Sequence, residues 1–120
     1  MAFKKVLCVD DVNADLTNIE KIVSAEGHIV STAVNGKDAL IKARAVKPNI
    51  IFLDVNMPEM DGFAAMRELK KDPDTKSIPI VLVTGKNQKA DKLWAQMQGA
   101  NGFVSKPYTP EQILEHLHSL

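Results

Sequence analysis

The stretch that decides the fold is Pro48–Gly62, which reads PNIIFLDVNMPEMDG. It begins with a nearly continuous apolar and β-prone run, Ile50–Leu53, which is typical of a strand buried on both faces of a parallel sheet. The run ends at Asp54, after which Pro58 and Gly62 hold the chain in a tight loop. Open α/β sheets place their chemistry at the carboxyl ends of parallel strands. The stretch therefore predicts a parallel sheet and makes Asp54 the first candidate functional residue.

Four further β-rich runs surround this stretch, and a helical pattern of apolar residues follows each strand. The other strands are predicted at Val6–Val9, His28–Val34, Ile78–Thr84 and Asn101–Ser105. The helices are predicted from an Asp11 or Asn13 cap to about Glu26, at Lys37–Val46, from about Gly62 to Lys71, at Asn87–Gln98, and from Pro110 onward after a Thr109 cap. This alternation with short loops predicts an α/β fold, a flavodoxin-like, doubly wound (βα)5 arrangement with strand order 2-1-3-4-5.

Length, composition and charge limit the class of protein. A chain of 120 residues predicts a single domain, 1–120, without a separate output domain. The 15 basic and 15 acidic residues are mixed along the chain, so no general attraction to nucleic acid or an anionic membrane is expected. The single cysteine, Cys8, excludes an intramolecular disulfide, and the apolar N-terminal stretch is too short to span a membrane. We expect a cytoplasmic protein.

Polar residues follow the predicted strands at their carboxyl ends, where the topology brings them into one crevice. They are Asp10 and Asp11 after the first strand, Asp54 after the third, Thr84 at the end of the fourth and Lys106 after the fifth. Crowded carboxylates repel one another, and Mg²⁺ is the simplest ion to offset that repulsion. The set is suited to phosphoryl transfer to a carboxylate, with Asp54 as nucleophile and Asp10 and Asp11 as metal holders.

In order and spacing, these residues resemble the receiver domain of two-component response regulators, of the stand-alone chemotaxis type. The resemblance extends from about Lys5 to His118, and its matching residues are Asp10-Asp11, Asp54, Met57-Pro58, Asp61-Gly62, Thr84, Phe103 and Lys106-Pro107. The segment from Trp94 to Pro107 is also similar to the small receivers of type IV pilus (twitching motility) chemosensory systems.

The resemblance implies a phosphoacceptor. Asp54 would take a phosphoryl group from the phosphohistidine of a histidine kinase, and Lys106 would contact that group. Mg²⁺ would be bound by the Asp11 and Asp54 carboxylates, by the backbone carbonyl of Asn56, and by Asp10 through water.

The resemblance also implies a switch. Thr84 would move onto the phosphoryl oxygens and Phe103 would swing inward, which would repack the surface of the fourth predicted helix, fifth strand and fifth helix for a downstream protein target. The bond from Lys106 to Pro107 would be cis. Lys86 occupies a position that tunes the phosphoryl lifetime in the family. We expect a monomer that signals through protein contacts and catalyses only its own phosphorylation and dephosphorylation.

Two other functions remain open. A phosphatase acting through an aspartyl-phosphate would usually carry a second acid two residues after the nucleophile, where this chain has Asn56, which cannot titrate. A degenerate receiver that only binds partners would lack some of the site residues, all of which are present here.

Overall fold

The computed structural model describes residues 3–85, 96 and 98–120. The strands are β1 (Lys5–Val9), β2 (Ile29–Ala33), β3 (Ile50–Asp54), β4 (Ile80–Thr84) and β5 (Gly102–Ser105). The helices of the described residues are α1 (Asn13–Ser24), α2 (Gly36–Val46), α3 (Gly62–Lys71) and α4 (Pro110–Ser119). The helix predicted at Asn87–Gln98 falls mainly on residues 86–95 and 97, outside the described residues. Helix α4 is the fifth predicted helix.

The five strands form one parallel sheet in the order β2-β1-β3-β4-β5. This confirms the predicted fold class and strand order. Strand β3 lies at the centre of the sheet, where Val6 of β1 is aligned with Ile50 and Val83 of β4 with Asp54. All five residues of β3 are buried, as its unbroken apolar run predicts.

The strand side chains alternate between two apolar clusters, one on each face of the sheet. Leu53 and its neighbours pack with α2 and α3, whereas Phe52 and its neighbours pack with α1 and α4. Helices therefore cover both faces, and the carboxyl ends of the strands are left for polar residues.

Several predicted boundaries are wrong by one or two residues: β2 is Ile29–Ala33 and not His28–Val34, β5 begins at Gly102 and not at Asn101, and α1 ends at Ser24 and not near Glu26. Strand β4 starts at Ile80 and not at Ile78, because the Ile78 N–H donates to Thr75 O in the preceding turn and Pro79 has no N–H to donate. Helix α1 has Val12 as its N-cap, without a side-chain cap, in place of the predicted Asp11 or Asn13.

Other local predictions are confirmed. Thr109 and Gln112 form a capping box at the start of α4, with Pro110 as the first helical residue. Within the described residues, no helix combines the length and the apolar character needed to cross a membrane.

Candidate functional site

Three carboxylates meet at the carboxyl ends of β1 and β3. One oxygen each of Asp10, Asp11 and Asp54 lie within 4.8 Å of one another. Asp10 and Asp54 are only 5% and 3% exposed, whereas Asp11 is exposed to solvent. The predicted acidic cluster is therefore present, with two of its members inside the fold and one at its rim.

Local backbone contacts fix Asp10. Its N–H donates to Ala33 O at 3.2 Å, which continues the pairing of β1 with β2 by one residue. Its Oδ1 accepts a hydrogen bond from the Val12 N–H at 2.9 Å. Because Asp10 accepts this N–H at the start of α1, its carboxylate has a fixed orientation before any ligand arrives.

The loop after Asp54 is held by its own backbone and by Gly62. The Gly62 N–H donates to Val55 O at 2.9 Å, and the Val55 N–H donates to Val83 O at the same distance. A Cβ atom on Gly62 would lie 2.4 Å from the carbonyl oxygen of Asp54. Only glycine allows this approach, so Gly62 contributes directly to the position of Asp54.

Lys106 brings a cation into the acidic cluster from the end of β5. Its Nζ lies 2.8 Å from Asp10 Oδ2, 2.9 Å from Asp15 Oδ2 and 3.3 Å from Asp54 Oδ1. The Lys106 N–H also donates to Thr84 O at 2.7 Å, and its peptide bond to Pro107 is cis. The ammonium thus partly neutralises three carboxylates at once.

The environment shifts the pKa of both central groups. The pKa of Asp54 is raised to about 6, chiefly because burial disfavours its charged form and also because Asp10 is near, while Lys106 acts to lower it. Burial acts to lower the pKa of Lys106, yet hydrogen bonds to Asp10 and Asp15 and the charge of Asp54 raise it above its ordinary value. Lys106 is therefore charged at neutral pH. Asp54 is mostly ionised, although its surroundings disfavour the charged form.

Thr84 and Asn56 lie beside this centre, and Phe103 lies on the neighbouring strand β5. Asn56 is exposed on the loop after β3, and its Nδ2 donates to Thr84 Oγ1 at 3.4 Å. Thr84 is buried at the end of β4 and is aligned with Ser105 of β5, two residues beyond Phe103. Phe103 is aligned with Leu82 of β4, which lies two residues before Thr84. Because residues two apart in a strand face the same side of a sheet, Thr84 and Phe103 share one face. Phe103 is half-buried against the cluster on that side.

Sequence reasoning missed Asp15, which lies in the first turn of α1 and forms an ion pair with Lys106. Its partner is 91 residues away along the chain, so the pair is a product of the tertiary fold. No local signal marks it, because an acid in the first turn of a helix is ordinary in sequence.

The donor set fits a hard divalent cation. Mg²⁺ is bound in proteins through one or two carboxylates and several waters, and oxygen atoms of three carboxylates lie close enough here to serve one ion. Burial does most to raise the pKa of Asp54, and the nearness of Asp10 and Asp11 raises it further. Asp10, Asp11 and Asp54 are therefore suited to a magnesium ion, with the rim residue Asp11 the most accessible to solvent.

The fold and this set of residues define a receiver domain. Residues 6–118 match the response regulator receiver domain family, and the chain belongs to that family.

Among its relatives is the Protein PilH of Pseudomonas aeruginosa, which is 36% identical over 116 residues, covering 97% of this chain and 96% of PilH. The Response regulator PleD of Caulobacter vibrioides is 40% identical over 116 residues, but the chain spans only 26% of the length of PleD. The structure of the Vibrio cholerae chemotaxis protein CheY4 superimposes with a TM-score of 0.91 and 33% identity, over 98% of each chain. The near full-length matches place this chain with the chemotaxis- and pilus-type receivers.

Proposed function

We propose that this protein is a phosphoacceptor switch, in which Asp54 takes a phosphoryl group from the phosphohistidine of a histidine kinase. The single observation that carries the proposal is the meeting of three carboxylates with the Lys106 ammonium around the carboxyl end of β3. Membership of the receiver family and the likeness to CheY4 support it.

In the proposed step, a carboxylate oxygen of Asp54 forms a bond to phosphorus as the P–N bond of the phosphohistidine breaks. The imidazole nitrogen leaves with the bonding electron pair, and Asp54 becomes an aspartyl-phosphate. Asp54 must be ionised to attack, and with a pKa of about 6 it is mostly ionised at neutral pH. Lys106, which already contacts Asp54, is placed to contact an oxygen of the transferred group.

Asp10, Asp11, Asp54 and the backbone carbonyl of Asn56 are the proposed magnesium holders. When bound, Mg²⁺ supplies positive charge that offsets the negative charge on the phosphoryl oxygens. The chain's own residues orient the nucleophile. Gly62, which has no Cβ, lets the backbone of Asp54 pack closely against it, and Lys106 contacts the Asp54 side chain.

The proposed output is a change of shape at β5 and α4. Thr84 would donate to a phosphoryl oxygen, and Phe103 would move inward from its half-buried position, since both face the same side of the sheet. A downstream protein would then bind the altered surface of β5 and α4, together with the helix predicted at Asn87–Gln98. The match to PilH supports a chemosensory system of the type IV pilus kind as the setting, with a chemotaxis-type histidine kinase as donor.

The test is the intact mass of the protein after incubation with Mg²⁺ and acetyl phosphate. We expect a single added phosphoryl group, and we expect Asp54→Asn and removal of the metal with a chelator each to abolish it. Asp74→Asn is the matched control, because it makes the same chemical change at an exposed carboxylate, and it should leave the adduct unchanged.

Two other results would overturn the proposal. Steady release of phosphate without an adduct would identify a hydrolase, in spite of the neutral Asn56. Neither adduct nor release would identify a module that only binds partners, and Asp54 would then have no role as an acceptor.

A further inference from the structure

We infer that Asp15 is a positioning residue that holds the Lys106 ammonium toward the outer side of the site and thereby restrains phosphorylation of Asp54. The inference rests on the proposed function, because it concerns the same lysine and the same acceptor. Its starting point is a pair of distances: Lys106 Nζ lies 2.9 Å from Asp15 Oδ2 but 3.3 Å from Asp54 Oδ1.

Asp15 and Asp54 differ sharply in their exposure to solvent. The Asp54 side chain is only 4% exposed, whereas that of Asp15 is 43% exposed. Asp15, Lys106 and Pro107 also contribute to the lining of an open cavity of about 360 Å³ beside the site. Asp15 thus competes with Asp54 for the Lys106 ammonium from the side of the cavity, while Asp10, at 2.8 Å, holds the ammonium from the buried side.

The position of Asp15 is set by α1 and not by a capping role. Asp15 lies in the first turn, where the helix dipole favours an acidic residue. The N-cap of α1 is Val12, which makes no side-chain cap bond, and the Val12 N–H is bonded to Asp10. The contact of the Asp15 carboxylate with Lys106 is therefore a specific tertiary interaction.

Phosphorylation of Asp54 increases the demand on the Lys106 ammonium. An ammonium group has three N–H donors, and in this structure three carboxylates surround it. The acyl phosphate carries nearly two negative charges where the Asp54 carboxylate carried one, so the donor on Asp54 passes to a phosphoryl oxygen and the ammonium is drawn inward. Asp10 is a proposed metal holder, so Asp15 is the partner that we expect Lys106 to give up. Being partly exposed, Asp15 can be rehydrated when the ammonium leaves.

The expected effect of Asp15→Asn is faster phosphorylation of Asp54. Asparagine keeps the size and shape of the side chain but removes the charge that holds Lys106 outward. We expect the loss of this partly exposed ion pair to increase the rate of phosphorylation about two- to fivefold. Asp15→Glu retains the charge, and we expect its rate to be close to that of the wild type.

The experiment follows the phosphoryl adduct by intact mass over time, with acetyl phosphate and Mg²⁺ at fixed concentrations, for wild type, Asp15→Asn and Asp15→Glu. Glu20→Gln is the matched control: it removes the same charge from the same helix and reports any general gain in attraction for the anionic donor. Each rate is measured at low and at about 1 M salt, because salt at that concentration screens charges beyond about 3 Å and leaves the 2.9 Å contact of Asp15 with Lys106 largely intact. Lys106→Met is combined with Asp15→Asn to test whether the effect passes through the lysine.

The inference is supported if Asp15→Asn is faster than both wild type and Glu20→Gln, if that ratio persists at high salt, and if it disappears in the Lys106→Met background. A general gain in attraction for the anionic donor would be lost at high salt, and a change of packing would not depend on Lys106. An unchanged or slower Asp15→Asn, beside a wild type that is phosphorylated, overturns the inference alone. A wild type that forms no adduct overturns the proposed function and this inference with it.

Discussion

The two ends of the parallel sheet use polar side chains in opposite ways. At the amino end, asparagine side chains bind the backbone of a neighbouring strand. At the carboxyl end, Asp10, Asp54 and Lys106 face one another. Polar side chains at the amino end stabilise the sheet, whereas those at the carboxyl end form a charged site that can bind a ligand.

The amino end contains two copies of one clamp. The Asn49 N–H donates to Lys5 O at 2.8 Å, and its Oδ1 accepts from the Lys5 N–H at 2.8 Å. Asn101 does the same for Ile80, with distances of 2.8 and 3.0 Å. Each asparagine precedes a strand and bonds both backbone groups of the first residue of the adjacent strand. These hydrogen bonds stabilise the fold.

At the carboxyl end the same topology produces unfavourable crowding. Burial and the nearness of Asp10 raise the pKa of Asp54 to about 6, which means that folding works against its charge at neutral pH. Such a cost is typical of functional sites, where stability is given up for an arrangement that a ligand completes. Neutral substitutions of the polar side chains at the two ends should therefore have opposite effects on the free energy of unfolding.

The largest effect on the free energy of unfolding is expected from Gly62→Ala, which disrupts the backbone packing behind Asp54. The new Cβ would lie 2.4 Å from Asp54 O and 2.8 Å from Val55 Cα, both backbone atoms that cannot move without distorting β3. We expect the free energy of unfolding to fall by about 3 kcal/mol, measured by urea denaturation.

Gly85→Ala is the matched control for that change. A Cβ on Gly85 has no described atom within 4 Å, so the expected result lies between no change and a gain of about 1 kcal/mol. Equal losses from the two variants would show that the close approach at Gly62 does not support the loop.

The second prediction is that Asp54→Asn, although it removes the acceptor, stabilises the metal-free protein. The folded state raises the pKa of Asp54 from 3.8 to about 6, so the associated stability is present below pH 4 and is lost as the pH rises through about 6. Asparagine does not titrate. We expect a gain in the free energy of unfolding of about 2 kcal/mol at pH 7.5 and almost none at pH 4, both measured with urea in the presence of a chelator.

Asp74→Asn provides the comparison for Asp54→Asn, because Asp74 is an exposed acid outside the site. Its free energy of unfolding should stay within about 0.5 kcal/mol of the wild-type value at both pH values. A loss of stability in Asp54→Asn at pH 7.5 would mean that the crowding at this end is already relieved without a metal ion.

These two ends also differ in how far the sequence predicts them. The strands, their order and the approach of Asp10, Asp54 and Lys106 follow from apolar runs and from the rule that parallel strands end at one edge. Asp15 was missed because a first-turn acid is ordinary in sequence, and only the fold brings it to Lys106. The start of β4 was misplaced because Ile78 continues the apolar pattern although its N–H is used in a turn.

The asparagine clamps were missed for a related reason. Asn49 and Asn101 look like the turn residues that commonly precede strands, and nothing local distinguishes a solvated asparagine from one that binds the next strand. The distinction depends on the register of β1 against β3 and of β4 against β5, which places Lys5 and Ile80 within reach.

The smallest predicted effect separates the two clamps from each other. In Asn101→Ala, the N–H of fully buried Ile80 loses its acceptor in a place that water reaches poorly, so we expect the free energy of unfolding to fall by about 1 to 2 kcal/mol. In Asn49→Ala, the partner Lys5 is exposed and water can replace the side chain, so the expected loss is about 0.5 kcal/mol or less. Urea denaturation measures both, and neither variant should alter the yield of the phosphoryl adduct. Similar losses from the two variants would show that burial does not set the strength of the clamp, and a reduced adduct would show that the amino end also shapes the site.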